Sequence, residues 1–245
     1  TLDGTLFPYT TLFRSDPHSV YIPASDLARA NEPLQGNFDG IGVSFNMLTD
    51  TVLIISTIPG GPSEKAGIIP GDKIIYVNDS LIAGKGIADD DVVKMLKGPR
   101  GTRVDLKIER KGAGELLPFT IIRDKIPIYS VDVSYMMSDD VGYIKISNFA
   151  LTTHDEFKQG LDELKSKGMK KLVLDLRGNS GGVMEAATMI ADEFLAEGKL
   201  IVFTMGKSTP RQDIKATSKG SFETGELVVL IDEWSASASE ILAGA

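Results

Sequence analysis

Lys171 to Arg177 reads KLVLDLR, a near-continuous apolar run that ends on Asp175 and Arg177. Gly178-Asn179-Ser180-Gly181-Gly182 follows at once, and then a stretch from Val183 to Glu197 with apolar residues at 183, 186, 187, 190, 191, 194 and 195. The run suits a buried strand and the spacing suits one face of a helix, closed by Gly198. Strand, glycine turn, helix is the building unit of an α/β core. A second such unit closes the sequence, where Leu227 to Ile231 turns at Asp232 and Glu233 into alternating serines and alanines and then into Glu240, Ile241 and Leu242. The crevice at the carboxyl ends of such strands is the usual place for ligands, and a helix N-terminus there offers free backbone N–H groups to negative charge.

The remaining elements divide the chain. Between Ile126 and Ala245 the pattern predicts strands at 130–135, 141–147, 171–177 and 200–205. It also predicts a helix over 153–167 with a Thr153/Glu156 capping box and an apolar face at Phe157, Leu161 and Leu164. From 38 to 125 the pattern is instead that of a small β-rich module. Strands are expected at 51–58, 73–78, 102–110 and 117–123, with one helical turn at 63–67 and a helix at 87–97. That helix opens on three aspartates, ends with Lys94 and Lys97, and carries Val92, Val93 and Leu96 on one face. Residues 16–37 form a lead-in in which Pro17, Pro23 and Pro33 bracket one helical turn capped by Ser25. Residues 1–15 have no clear period and look like a non-native leader.

A chain of 245 residues with 42% hydrophobic content suits one large or two ordinary globular domains, and no apolar run approaches the length of a membrane span. The net charge of −8 without a basic patch argues against nucleic acid as a partner. The sequence lacks cysteine and has two distant histidines, His18 and His154, so neither a metal nor another cofactor is expected.

Two stretches carry chemistry. The glycine loop 178–182 reads as a tight turn, a phosphate loop or an oxyanion hole, but it lacks both the G-K-[ST] ending and the G-x-G-x-x-G spacing of nucleotide sites. In Ser235-Ala236-Ser237-Ala238-Ser239 any of the three serines fits a nucleophile by spacing, and Ser237-x-x-Glu240 also reads as a capping box. The alanines favour the nucleophile, since an approaching peptide needs neighbours without bulk. A triad of Ser237, His154 and Asp175 is a rival arrangement, disfavoured by the expected exposed place of His154 at a helix start.

Taken in order, these motifs resemble the C-terminal processing peptidases, or tail-specific proteases. Gly40-Ile41-Gly42-Val43, Pro62 to Gly67 and Gly71-Asp72-Lys73-Ile74 resemble the carboxylate-binding loop, turn and strand start of a permuted PDZ domain. Asp175 to Gly182 and Ser235 to Glu240 resemble the family's D-L-R-x-N-x-G-G and S-A-S-A-S-E motifs. The resemblance implies an α/β (α+β), crotonase-like protease core at 126–245 with an inserted PDZ domain at 38–125. It implies that Ser237 is the nucleophile, with oxyanion donors on Gly182 and Ala238. A peptide would add beside Gly40, Ile41, Gly42 and Val43, with Val92, Val93 and Leu96 on the helix forming the other wall. Protein substrates with a free C-terminus, a bacterial envelope or periplasmic location and a Ser-Lys dyad are implied too, while a homo-oligomer stays open. The family's base lysine lies about two dozen residues after the serine, and none follows Ser237 here, so this fragment is expected to be inactive. A non-catalytic PDZ adaptor on a degenerate protease scaffold is the alternative.

Overall fold

In a computed structural model of the chain, the residues described are 21–24, 27–48 and 50–245. The leader, His18 and the Ser25 cap lie outside them. The chain divides into two compact units, one formed by residues 37–128 and the other by 129–245 together with the segment before Asn37.

Within the 37–128 unit, an antiparallel sheet runs β2 (Val43–Met47), β3 (Val52–Thr57), β4 (Lys73–Val77), β6 (Arg103–Glu109) and β7 (Leu117–Ile122), with the short β5 (Ser80–Leu81) beside β4. Helix α2 (Pro62–Lys65) is a single turn, and α3 (Asp89–Leu96) closes the core formed by Ile54, Ile74, Val92, Leu106 and Ile108. Besides β2 and the short β5, sequence periodicity misses the pair β1 (Asn37–Gly40) with β8 (Asp124–Pro127), which ties the two ends of the unit together. Both strands are short, and their partners lie far apart in sequence.

In the second unit, β9 (Val131–Met136), β10 (Val141–Ile146), β11 (Lys171–Asp175) and β14 (Glu226–Leu230) form a sheet in the order β14-β11-β10-β9. The β10, β11 and β14 strands are parallel, and β9 is antiparallel to β10. Helices α4 (Thr153–Ser166), α5 (Met184–Asp192) and α6 (Ala238–Gly244) contribute Phe157, Leu161, Ile190 and Leu242 to the core over Ile144, Ile146, Leu172 and Leu174. On the opposite face Tyr135, Tyr143, Val173 and Val228 stand in register across the four strands, and Tyr135 and Val228 are about half exposed. The apolar run at 171–177 therefore buries one face fully and the other only in part. Strands β12 (Leu200–Thr204) and β13 (Gln212–Lys215) make a separate hairpin, the second strand in a stretch too polar to signal itself.

Three expectations are corrected. The lead-in is a helix, α1 (Leu27–Gln35), that runs through Pro33 instead of stopping there, and it docks on its own unit: Leu151 N–H donates to Leu34 C=O and the Asn148 amide to Pro33 C=O. Helix α5 ends at Asp192, five residues before Glu197. Past that point Glu193 and Phe194 N–H reach back to the third carbonyl before them, so the chain tightens and turns the Glu193 carboxylate into a polar cluster. The Thr153/Glu156 capping box does not form. Thr152 is the N-cap, its hydroxyl donates to Glu156, and the other Glu156 oxygen accepts the N–H groups of Ser130 and Val131.

Candidate functional site

The glycine loop leaves β11 and meets the loop that leaves β14, as the parallel register of the two strands requires. Asn179 joins them. Its side chain is fully buried, its amide donates to Ile146 C=O at 3.0 Å, and its Oδ1 accepts Gly181 N–H at 2.8 Å. Its backbone carbonyl accepts both Ala236 N–H at 3.1 Å and the Ser239 hydroxyl at 2.8 Å. Asp232 makes the second joint, accepting Gly178 N–H at 3.0 Å and Trp234 N–H at 3.1 Å. These bonds, Gly178 foremost, hold the Asp232 carboxyl below the usual carboxylate range. Ser235 makes the third, with its hydroxyl on Leu176 C=O at 2.9 Å.

Of the three clustered serines, Ser235 and Ser239 thus have hydroxyls bonded to backbone carbonyls, and Ser239 is buried. Ser237 is exposed between them. Its backbone stands at φ 56° and ψ −111°, a conformation that a residue with a Cβ rarely adopts. Glu240 completes the capping box by accepting Ser237 N–H at 2.6 Å, so the cap and the exposed serine are the same residue. A Cβ added to Gly181 would meet the Ser237 Cβ at 2.8 Å and Ala238 N at 3.0 Å, so the glycine loop lies directly against the serine turn. Gly182, at φ 141°, pairs with Phe149, whose carbonyl a side chain at 182 would strike. Among the described residues no acceptor takes the N–H of Gly182 or of Ala238. The two donors nominated by sequence are therefore unpaired backbone groups beside an exposed serine.

Asp175 and Arg177 close the base of this loop. The Arg177 guanidinium grips Asp175 at 2.6 and 3.0 Å, and the Tyr143 hydroxyl adds a bond at 2.6 Å. Chiefly through Arg177, the Asp175 carboxyl is held far below its ordinary value despite its burial. Burial first, and Asp175 next, push the Tyr143 phenol up.

The rival triad is not assembled. His154 bonds Glu193 at 3.2 Å, not Asp175, and its side chain is only 18% exposed, more enclosed than a solvated helix start suggests. Among the described residues no lysine or histidine side chain is hydrogen-bonded to Ser237.

In the 37–128 unit a cavity of about 250 Å³ opens between β2 and α3. Ile41, Gly42 and Val43 line one wall, Val93 and Leu96 the other, with Phe38, Phe45 and Lys97 completing it. Gly40 ends β1 one residue outside this lining. Val92 is the exception among the nominated residues. It is fully buried in the core of the unit, because successive helical residues lie about 100° apart and only Val93 and Leu96 turn toward the groove. Ile41 C=O is turned away, accepting the N–H and hydroxyl of buried Ser63 at 3.1 and 2.6 Å. Gly42, at φ 73°, lets the loop pass under the groove. No acceptor among the described residues takes the N–H of Ile41 or Gly42.

Comparison with known proteins finds matches for both units. Residues 140–245 match peptidase family S41, and residues 54–110 match the PDZ domain. The carboxy-terminal processing protease CtpA of Bacillus subtilis is 37% identical over 94% of this chain and 48% of its own length. CtpB of the same organism is 34% identical over 94% of this chain and 48% of its own length. Residues 140–245 thus resemble peptidase family S41, and residues 54–110 a PDZ domain. The chain's α/β core and PDZ unit are the parts expected of that family, and it spans about half the length of the curated relatives it matches. The photosystem II D1 C-terminal processing protease aligns at 28% identity over 94% of this chain and 63% of that structure, with a TM-score of 0.47. Among the described residues no helix is long and apolar enough to cross a membrane.

Asn179, Asp232 and Lys97 were not singled out from sequence as site residues. Asn179 had a local signal, since an Asn two residues before a glycine in a tight loop is placed to accept the N–H at i+2. The others join segments remote in sequence, and nothing local marks them.

Proposed function

We propose that the chain forms the PDZ and nucleophile-bearing part of a serine endopeptidase that holds the C-terminal end of a protein substrate and cleaves the chain nearby. The exposed, left-handed Ser237 carries this reading, set against a glycine loop with unpaired N–H donors on both sides. In the proposed step Ser237 Oγ attacks the scissile carbonyl carbon as its proton passes to a base. The Gly182 and Ala238 N–H groups hold the oxyanion, each worth about 10²–10³ in rate. The leaving amine takes the proton, and water then releases the acyl group from Ser237. The family resemblance assigns the base to a lysine, and none follows Ser237 within residues 238–245. An envelope location follows from the same resemblance.

The test uses the polypeptide translated through to its stop codon and an unfolded reporter prepared with a free or an amidated C-terminus. Cleavage several-fold faster for the free carboxylate is expected. Equal rates would remove the PDZ groove from substrate selection.

A further inference from the structure

The PDZ sheet has two edges. One is β2, which carries the groove described above, and the other is β7, the last strand in the order β2-β3-β4-β6-β7. At the end of β7 the backbone of Arg123 turns toward the residues before β6, with its N–H on Thr102 C=O and its C=O on Gly101 N–H at 2.8 Å each. Backbone groups alternate along an antiparallel strand, so those of Thr120 and Ile122 turn outward, away from β6. The next outward position holds Pro118, which has no N–H to leave unpaired there. Thr120 and Ile122 are both exposed, Ile122 at 52%.

A cavity of about 490 Å³, against 250 Å³ for the groove, opens between this edge and the single turn α2. Pro62, Lys65 and Ala66 line one side of it and the residues from Thr120 to Asp124 another, with Arg100 and Gly101 at the turn before β6. The charges in this lining are not balanced. Asp124, its one carboxylate, already accepts Lys125 N–H at 2.8 Å and the Arg100 Nε–H at 2.7 Å. The Lys125 N–H foremost, with Arg100 and Lys65 adding, holds that carboxyl below the usual carboxylate range. Arg123 spends its guanidinium inward, on the carbonyls of Met95, Leu96 and Arg103. Two cations are left. Lys65 makes no hydrogen bond or ion pair among the described residues, and the terminal nitrogens of Arg100, whose side chain is 68% exposed, have no acceptor among them either. Asp39 takes only the backbone N–H of Arg100.

An exposed edge strand with unpaired backbone groups is a template for another chain, and the two cations decide which. A second copy of this edge would set Lys65 and Arg100 against their own counterparts, like charge on like charge. An acidic strand meets them with the opposite charge. We infer that β7 is a second strand-addition edge of the PDZ unit, and that it takes an extended internal segment of a partner protein carrying acidic and apolar side chains. The segment's backbone pairs with the N–H and C=O groups of Thr120 and Ile122, its acidic side chains meet Lys65 and Arg100, and its apolar ones cover Ile122. The partner's chain end plays no part, which separates this edge from the groove on β2.

The test measures binding of a fluorescent Glu-Val-Glu-Val-Glu-Val peptide, blocked at both ends, to the 245-residue chain. Wild type is expected to bind it, and to bind the Gln-Val counterpart about tenfold more weakly. Lys65→Ala should remove most of that difference, and raised salt should do the same in wild type. Peptides N-methylated at every Val or at every Glu have one blocked edge each, so one of the two should lose binding. An unlabelled peptide ending in a free Leu-Val should not displace the probe. Absence of binding, or equal binding of the Glu and Gln peptides, would overturn the acidic partner. Undiminished binding by both methylated peptides would overturn strand addition, and displacement by the free-acid peptide would move the site to the β2 groove. A concentration-dependent dimer of the chain that excludes the probe would give the edge to a second copy instead. C-terminal recognition stands or falls separately, because the probe has no free end.

Discussion

The molecule holds two backbone cradles, one in each unit, and they are built differently. In the PDZ groove the Ile41 and Gly42 N–H groups face an apolar cavity, with an ammonium at its rim. At the serine turn the Gly182 and Ala238 N–H groups are positioned by a polar network through buried Asn179 and half-buried Asp232 and Ser235, and no cation is bonded to Ser237 among the described residues. On the proposed reading the difference follows from the lifetime of the anion each one meets. A carboxylate arrives with its charge and keeps it; an oxyanion exists only in passing, and oriented dipoles stabilise it without attracting resident anions. The first cradle tolerates local looseness, and the second does not.

Alanine at the two left-handed glycines should separate the cradles most. At Gly182 the new Cβ would strike the Phe149 carbonyl, which is backbone and cannot rotate away, so Gly182→Ala should cost about 4 kcal/mol in denaturant unfolding of the C-terminal unit. At Gly42 the contact is 3.0 Å from the tip of the Ile126 side chain, which can turn, and Gly42→Ala should cost about 1–2 kcal/mol. Equal costs would erase the proposed contrast.

Asn179→Ala comes next, at about 3 kcal/mol, because it strands Ile146 C=O and Gly181 N–H inside the protein. A loss under about 1 kcal/mol would mean that the two loops do not depend on this joint. Asp175 sharpens the comparison through pH. Its carboxyl titrates lower folded than unfolded, so its contribution is present above the ordinary Asp value of about 4 and disappears as the pH falls below it. The C-terminal unit should lose stability on acidification through that range, and Asp175→Asn should flatten the loss while costing about 2 kcal/mol at neutral pH. An unchanged acid limb in the variant would assign it to other carboxylates. The smallest expected effect has the opposite sign: Ser237→Gly relieves the left-handed backbone and should stabilise the chain by about 1 kcal/mol. Destabilisation would show that the turn is not strained.

Sequence periodicity carried the PDZ unit well because its strands alternate and its turns are marked by glycine. The PDZ resemblance made this helix a groove wall and so put Val92 there with Val93 and Leu96, since a three-residue pattern does not reveal which side of α3 the core occupies. The β1 and β8 pairing, α1 through Pro33 and its docking at Asn148 to Thr152 escaped because their partners are distant in sequence. At the serine turn the three serines look equivalent in sequence. Only the fold gives Ser235 and Ser239 their carbonyl partners and leaves Ser237 outside.

The most direct measurement compares cleavage of an unfolded reporter by the polypeptide translated through to its stop codon and by its Ser235→Ala, Ser237→Ala and Ser239→Ala variants. Ser237→Ala should lower kcat by at least about 10³-fold, far more than the roughly 1 kcal/mol of stability that a lost helix cap costs can explain. Ser235→Ala and Ser239→Ala should lower activity only in step with their losses in unfolding free energy. A Ser237→Ala variant that still cleaves at a substantial fraction of the wild-type rate would contradict the assignment of Ser237 as the nucleophile.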